Sequence, residues 1–216
     1  MVHERPIREG WPAVTVVGLG GLGSWTALAL AKCGFEVSHV YDHDEVEYKN
    51  LSNQFYRSED TGKSKTLATE MALTDFVEHA VVGHGKATAN SCFVTGIIVA
   101  AVDSLESRRD ILAACQASAP VKVLLDLRAG GGTIKLLTCN PGNTESVEWY
   151  KTTLTEAPEA MAVCLEQFDA HVGMIAAGLA VRTLQELLLK HGVERLIVLH
   201  VPDLHLLQDG PHPWNG

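Results

Sequence analysis

Apolar and polar residues succeed one another along this chain in the manner of strands joined by helices. Residues 13–17 form an apolar, β-branched run that leads into a glycine-rich turn, and the Ala/Leu-rich residues 24–32 have helical propensity. Residues 35–41 alternate like a second strand, and residues 96–102 are apolar, as in a strand that is buried on both faces. This order predicts a doubly wound, mostly parallel α/β sheet with helices on both faces.

The remaining predicted elements follow from the same periodicities. In chain order they are a helix from about residue 62 to 73, a strand over 76–82, a helix over 104–115, a strand over 121–126, a turn at 130–132, a strand over 133–139, a helix over 170–190 and a strand over 194–201. We expect the strands of the C-terminal half to include antiparallel ones. Residues 140–170 are polar and irregular and are predicted to form a long functional loop.

The pattern favours a single domain. Residues 1–12 are predicted to be an N-terminal arm, residues 13–201 the domain itself, and residues 202–216 a loop-like C-terminal tail. The chain has 216 residues, 46% of them hydrophobic, which suffices for one large core.

Charge and cysteine content exclude several kinds of partner and location. The formal net charge is −9, from 17 basic and 26 acidic side chains, so we expect neither nucleic acid nor a membrane as a partner. The polar first residues do not resemble a signal peptide. Five cysteines without a Cys-x-x-Cys pair argue against a disulfide framework, and they predict a cytoplasmic location and four core cysteines: Cys33, Cys92, Cys115 and Cys139.

The glycine-rich turn between the first strand and helix is a candidate nucleotide site. It reads Gly18-Leu-Gly20-Gly21-Leu-Gly23, and its place between a strand and a helix is what makes such a string informative. Its glycines permit a tight turn and a close approach of backbone to phosphate, and unpaired amides at a helix start favour negative charge. Asp42 follows the second predicted strand, where a carboxylate can accept hydrogen bonds from a ribose.

Five motifs in order extend this signal. They are the glycine loop, Asp42-His-Asp44, Asn50-Leu-Ser-Asn53-Gln54, Gly62-Lys-Ser-Lys65, and Asp103 followed by Arg108. Together they resemble the adenylyltransferase domain of the ThiF/MoeB/HesA family, within the ubiquitin-activating-enzyme superfamily, in a minimal bacterial- or phage-type version. Taken singly, Asp42 or Asp103 could cap a turn and Lys65 could be a solvated lysine. The ordered set favours a Rossmann-like nucleotide site.

The resemblance implies a reaction and a role for each motif residue. An adenylyltransferase of this kind uses ATP and Mg²⁺ to activate the C-terminal carboxylate of a ubiquitin-like or sulfur-carrier protein ending in Gly-Gly, or a small carboxylate, and releases pyrophosphate. By the resemblance, Asp42 holds the ribose, Asn50 and Gln54 line the pocket with Asp44, Lys65 neutralises the α-phosphate, and Asp103 holds Mg²⁺. The family also implies a homodimer in which an arginine of the partner's arm, Arg5 or Arg8, reaches the phosphates.

The chain departs from the family pattern in three places. Asn53 stands where the family has a phosphate-binding arginine, and an uncharged amide cannot replace that cationic fork; Arg57 is the candidate substitute, with a surface arginine as the alternative. Residues 149–153 lack the first Cys-x-x-Cys pair of many relatives, so no structural zinc is expected. Cys164 lies near the family's carrier-linking cysteine, although a free cysteine is most often a small buried hydrophobe.

Two other functions remain open on the sequence alone. Because Asn53 removes a cation, the chain could be a degenerate member that binds a nucleotide or a partner without turnover. An NAD-dependent oxidoreductase would use the same glycine loop and Asp42. It explains neither the series Asn50, Gln54 and Lys65 nor the spacing of Asp103 and Arg108.

Overall fold

A computed structural model of the chain describes residues 10–74, 76–77, 79–155, 170–189 and 194–211. Eight strands lie within these residues. In chain order they are β1 (Val14–Val17), β2 (Val37–Tyr41), β3 (Val82–His84), β4 (Ile97–Ala100), β5 (Val123–Gly130), β6 (Thr133–Cys139), β7 (Glu194–His200) and β8 (His205–Pro211).

These strands form one mixed sheet in the order β3-β2-β1-β4-β5-β6-β7-β8. The five strands from β3 to β5 are parallel, whereas β6, β7 and β8 each run antiparallel to the strand before them. Because the strand order reverses at β1, the crevice at the carboxyl ends of β1, β2 and β4 is where ligands bind in sheets of this type. The predicted fold class is confirmed.

Helices cover both faces of the sheet. In chain order they are α1 (Gly23–Lys32), α2 (Lys65–Thr74), α3 (Leu105–Ala117), α4 (Thr144–Thr152) and α5 (Ala170–Leu188). One apolar cluster joins α1 and α5 to the sheet, and a second joins α3 and α4 to the opposite face. None of the helices in the described residues is long and apolar enough to cross a membrane.

The third strand lies later in the chain than the sequence predicts. Residues 76–82 were expected to form it, but β3 begins at Val82. The backbone N–H groups of Phe76 and Val77 instead bond to the carbonyl of Leu73, which continues the last turn of α2. Their apolar side chains therefore follow the end of a helix, and the prediction of a strand over 76–82 was wrong except at Val82.

Two further elements lie where irregular chain was predicted. Helix α4 occupies part of the expected 140–170 loop. Its N-terminus is capped by the Asn143 side chain, which accepts from the Ser146 N–H at 2.9 Å. Strand β8 occupies part of the expected C-terminal tail, where residues 205–211 pair antiparallel with β7. The prediction of four core cysteines was wrong for Cys33 and Cys92, which are exposed.

Helix α5 packs unusually close to the glycine loop. Gly173 is buried on α5, and a Cβ at this position would overlap the carbonyl oxygen of Gly21 and lie 2.5 Å from Cδ1 of Trp25. Gly178 lies on the same helix, but a Cβ there would have no atom within 4 Å. Alanine substitution at both positions therefore distinguishes two effects: steric overlap, which arises only at Gly173, and helix propensity, which changes at both.

We expect Gly173→Ala to lower the free energy of unfolding by about 1–3 kcal/mol, because the added methyl group overpacks a backbone contact. Gly178→Ala is the matched control, and it should raise that free energy by up to about 1 kcal/mol because alanine favours the helix. Urea unfolding of both variants measures these changes. Equal effects of the two substitutions would contradict the close contact.

Candidate functional site

A cavity of about 230 Å³ opens at the carboxyl ends of the parallel strands. Residues that follow β1, β2, β3 and β4 line it, together with residues in the first turns of α2, α3 and α5. The N-terminus of a helix carries partial positive charge, so the three helices whose first turns line the cavity favour an anion there.

The glycine loop forms the wall of the cavity next to β1. Gly18 has φ +88°, and a Cβ there would lie 2.6 Å from the carbonyl oxygen of Ala101, so only glycine fits this turn. Gly20 also lines the cavity, and a Cβ there would have no atom within 4 Å. The Tyr56 hydroxyl donates to the Leu19 carbonyl at 3.0 Å, which holds the loop from below.

Asp42 ties the glycine loop to the end of β2. Its Oδ2 accepts from the backbone N–H of Leu19 at 2.6 Å, and its Oδ1 accepts from that of Asp44 at 2.8 Å. Both carboxylate oxygens keep further lone pairs, and Asp42 lines the cavity. The residue expected to hold a ribose is therefore oriented by backbone amides at the edge of the cavity.

Lys65 and Asp44 form an ion pair in the cavity wall. Lys65 Nζ lies 2.9 Å from Asp44 Oδ2, and the lysine side chain is 7% exposed against 53% for the aspartate. The hydrogen bond from Lys65 lowers the pKa of Asp44 below its ordinary value, although partial burial opposes this. The pair therefore stabilises the fold above the ordinary carboxyl pKa, and that stability is lost as the pH falls through the lowered pKa.

Two neighbouring amide side chains present unpaired oxygens near the glycine loop. Asn53 Oδ1 and Gln54 Oε1 are buried and have no hydrogen-bond partner in the described part of the chain, and both residues line the cavity. The backbone carbonyl of Asn53 accepts from Trp25 Nε1 at 3.0 Å, which fixes this segment against α1. Unpaired buried polar atoms are costly, and these two belong to residues that line the cavity.

Asp103 lies at the end of the turn after β4. It is exposed, it lines the cavity, and its carboxylate has no ion pair or hydrogen bond within the described residues. The next residue, Ser104, caps α3 by accepting from the Ser107 N–H at 3.0 Å. The carboxylates of Asp103 and Asp42 thus lie at the same edge of the sheet and line one cavity.

Several predicted site residues do not line the cavity. Asn50 Oδ1 accepts from the Glu47 N–H at 2.9 Å within a short 3₁₀ turn, so this side chain is used locally. Arg57 is exposed and pairs with Glu59 at 2.8 Å. Gly23 lies beneath the loop, where a Cβ would overlap the Gly18 carbonyl. Arg5, Arg8 and Cys164 lie outside the described residues.

The structure adds residues that the sequence reasoning missed. Lys86 lines the cavity after β3, and its side chain has no ion pair within the described residues. Lys86 was missed because the third strand was predicted to end at residue 82, whereas β3 ends at His84, two residues before Lys86. Gly173 also lines the cavity, and a glycine within an otherwise Ala/Leu-rich helix was the available signal.

The cavity walls balance their charges locally. Three carboxylates (Asp42, Asp44 and Asp103) and three cations (Lys65, Lys86 and Arg108) line the cavity within the described residues. Lys65 forms an ion pair with Asp44. Arg108 forms one with the buried Asp126, with 3.0 Å between Arg108 Nε and Asp126 Oδ1. Asp42, His43 and Asp44 also bring one possible metal-ligand atom each within 4.8 Å of one another. The arrangement can bind a phosphorylated nucleotide with a divalent cation, using amides, lysines and exposed carboxylates.

A glycine loop, a carboxylate after β2 and a carboxylate after β4 lie in one crevice of this α/β sheet, an arrangement typical of nucleotide-binding α/β proteins. The chain belongs to the ThiF family, whose sequence profile matches residues 12–206. It is 24% identical over 203 residues to the ubiquitin-like modifier-activating enzyme 5 of Branchiostoma floridae, an alignment that covers 81% of this chain and 49% of that protein.

A second relative matches over a shorter stretch. The ubiquitin-like modifier-activating enzyme 5 of Dictyostelium discoideum is 44% identical over 62 residues, which are 29% of this chain and 16% of that protein. The chain thus spans half or less of the length of these two curated relatives.

Solved structures show the same fold. PaaA superposes with a TM-score of 0.69 at 17% identity, covering 91% of this chain and 63% of that one. MccB of E. coli with ATP has a TM-score of 0.66 at 17% identity, covering 94% of this chain and 65% of that one. The microcin C7 biosynthetic enzyme MccB in complex with N-formylated MccA has a TM-score of 0.69 at 19% identity, covering 94% and 66%.

We expect Lys65→Met to raise the pKa of Asp44 towards its ordinary value, because the substitution removes the hydrogen bond that lowers it. Carbon-detected NMR titration of the carboxyl groups measures this shift. Lys63→Met is the control: Lys63 pairs with Asp60 at 2.9 Å, so that change should raise the pKa of Asp60 and leave Asp44 as it was. An unchanged Asp44 titration in Lys65→Met would contradict the ion pair.

Proposed function

We propose that this chain is an ATP-dependent adenylyltransferase. Its substrate would be a carboxylate, either the C-terminal carboxylate of a ubiquitin-like or sulfur-carrier protein ending in Gly-Gly or a small carboxylate. The observation that carries the proposal is the convergence of four motif segments on one cavity: the glycine loop, Asp42–Asp44, Lys65 and Asp103.

The described residues fit ATP by their geometry and their chemistry. Gly20 leaves open space where any other residue would place a Cβ, so phosphate can approach the loop backbone. The side-chain oxygens of Asn53 and Gln54, which are buried without a hydrogen-bond partner in the described residues, place further polar groups beside this loop. ATP binding is also supported by the structural neighbour MccB of E. coli, which was crystallised with ATP.

Asp103 fits a magnesium ion better than the other lining carboxylates do. Asp42 accepts from two backbone amides and Asp44 from Lys65, whereas the Asp103 carboxylate has no such partner within the described residues. Magnesium prefers carboxylate oxygens, phosphate oxygens and water as ligands. When bound, it would neutralise triphosphate charge.

In the proposed reaction, a carboxylate oxygen of the acceptor attacks the α-phosphorus of ATP. The bond between the α-phosphorus and the bridging oxygen to the β-phosphate breaks, pyrophosphate leaves, and an acyl-adenylate remains. Because two anions must meet, the chain's main tasks are orientation and charge stabilisation. Asp42 orients the ribose, the loop amides bind phosphate oxygens, and Lys65 offsets the charge that develops at the α-phosphate.

The acceptor and the assembly are inferred from relatives and from the family resemblance. The curated relatives are named ubiquitin-like modifier-activating enzymes, and MccB has been solved in complex with MccA, so a small protein or peptide acceptor is consistent with both. We further propose a homodimer in which Arg5 or Arg8 of one protomer reaches the nucleotide of the other. A cytoplasmic location remains a prediction from the cysteine content.

Isotope exchange between pyrophosphate and ATP tests this chemistry directly, because attack at the α-phosphate is reversible. With Mg²⁺ and an acceptor present, Asp103→Ala and Lys65→Ala should each slow exchange on the order of a hundredfold, since each removes an electrostatic contact. Glu106→Ala and Lys63→Ala are matched controls outside the cavity lining and should exchange normally. ATP binding without exchange, insensitive to both site variants, would instead favour a degenerate binder.

Substitutions at residues 53 and 57 distinguish two cases: a site with weaker ATP binding because Asn53 replaces an arginine, and a site in which Arg57 takes that arginine's place. We expect Asn53→Arg to tighten ATP binding, because it restores a cation to a position that lines the cavity. Arg57→Ala should leave binding unchanged, because Arg57 is exposed and paired with Glu59. Calorimetric titration with ATP and Mg²⁺ measures both. A severe defect in Arg57→Ala would show that Arg57 already serves the phosphates.

A covalent step would appear as an adduct on cysteine. If Cys164 accepts the activated carboxyl group, Cys164→Ala should abolish a thiol-labile adduct with the carrier and leave pyrophosphate exchange intact. Cys139→Ala should leave the adduct in place, because Cys139 is buried and burial raises its thiol pKa to about 11. Mass spectrometry of the intact protein detects the adduct. Its survival in Cys164→Ala would assign that residue a structural role.

A further inference from the structure

A buried cluster of charged residues lies beside the cavity. Asp126 on β5 is fully buried and accepts hydrogen bonds from three side chains. Arg108 Nε donates to its Oδ1 at 3.0 Å, Arg128 Nε donates to its Oδ2 at 2.7 Å, and the Tyr150 hydroxyl donates to its Oδ2 at 2.9 Å. These four residues, here called the Asp126 cluster, join β5, α3 and α4.

The Asp126 cluster contains two cations and one anion. Burial acts to raise the pKa of Asp126, but the charges of Arg108 and Arg128 outweigh it and hold this pKa below its ordinary value. Burial, reinforced by the charge of Asp126, raises the pKa of Tyr150 well above its ordinary value, so the phenol stays a neutral donor. The cluster therefore carries a net charge of about +1, and its side chains are almost fully buried.

Stability alone does not account for such a cluster. Replacing a buried ionic group by apolar residues of similar volume is often neutral or stabilising, whereas removing one partner is strongly destabilising. The side chains of Arg108 and Arg128 are each only 2% exposed, so the arrangement has few alternatives once the chain is folded. What it provides is a defined position for each of its members.

Arg108 links the cluster to the cavity. It lines the cavity, and its Nη1 donates to the Ser104 carbonyl at 3.3 Å while its Nη2 donates to the Leu127 carbonyl at 3.2 Å. Ser104 is the cap of α3 and follows Asp103 directly. The Ser104 carbonyl also accepts from the backbone N–H of Arg108 at 3.2 Å. Arg108, itself bonded to Asp126, therefore contacts the turn that carries Asp103 through both its main chain and its side chain.

The other side of the cluster is fastened to the end of α4. Arg128 Nη1 donates to the Thr153 carbonyl and its Nη2 to Thr153 Oγ1, both at 2.9 Å. Tyr150 belongs to the same helix and is fully buried. Two elements that do not line the cavity, α4 and the turn after it, are thus connected through Asp126 to one that does.

We propose that Asp126 is a positioning residue for the nucleotide site, acting through Arg108 on the turn that carries Asp103, with Tyr150 holding Asp126 in place. The positioning of the turn by Asp126 does not depend on the proposed function, whereas the consequence for ATP binding rests on it. The two can be measured separately.

Tyr150→Phe is the variant of choice, because it removes one hydrogen bond to Asp126 and keeps the aromatic packing. We expect amide hydrogen exchange in residues 103–108 to rise about three- to tenfold, the range that loss of one buried hydrogen bond produces. Exchange in β2 should stay unchanged. Asp126→Asn should act in the same direction and more strongly wherever it folds.

Thr95→Val is the matched control, since it removes a buried hydrogen bond of 2.8 Å to Thr15 that lies outside the cavity lining. It should not change exchange in residues 103–108 relative to β2. If Tyr150→Phe and Thr95→Val give the same exchange pattern, the positioning role is overturned.

Binding of ATP with Mg²⁺ and of adenosine supplies the functional readout. Tyr150→Phe should weaken binding of ATP with Mg²⁺ about three- to tenfold and leave adenosine binding unchanged, because Asp103 serves the phosphate end. Equal weakening of both ligands, or of neither, would overturn the link to the nucleotide site. Wild-type protein that binds no ATP would overturn the proposed function, while hydrogen exchange would still decide whether Asp126 positions the turn.

Discussion

Direct contact of backbone with backbone around the glycine loop is the constraint on which the rest of the site depends. Gly18 turns against the carbonyl of Ala101, Gly23 lies against Gly18, and Gly173 brings α5 against Gly21. At each of these three glycines a single methyl group would force the main chain apart. The loop is therefore held by its neighbours on both sides, in a shape that exists before any ligand arrives.

Around this rigid loop, the polar groups of the site differ in how firmly they are held. Asp42 is fastened by two amides and Lys65 by Asp44, so these residues form the preorganised wall. Asp103, Lys86 and the amide oxygens of Asn53 and Gln54 have fewer or no partners within the described residues. This division suits the proposed reaction, in which a nucleotide would be fixed and a carboxylate would arrive beside it.

Topology explains which residues the sequence could predict. Gly18, Asp42 and Asp103 each follow a strand, and parallel strands bring such positions to one edge whatever the side chains do. The directions of Asn50 and Arg57 depend on local capping and pairing, which motif spacing does not encode. The fold class followed from periodicity, whereas α4 was missed because its buried face is short, and β8 because its pairing with β7 shows only in three dimensions. The Asp126 cluster could not be predicted from the sequence, because it is formed by contacts among three separate elements. The available signal was the presence of two charged residues, Asp126 and Arg128, within an apolar strand.

The antiparallel half of the sheet places the end of β8 far from the nucleotide cavity. Five inter-strand spacings separate β1 from β8, which amounts to about 24 Å across the sheet. A fluorophore or surface tether attached at the end of β8 would therefore leave the cavity open. Thiol chemistry is less suitable for such labelling, because Cys33 and Cys92 are both exposed and would react as well. The architecture thus favours a genetically encoded handle for single-molecule or surface-based recording of nucleotide binding.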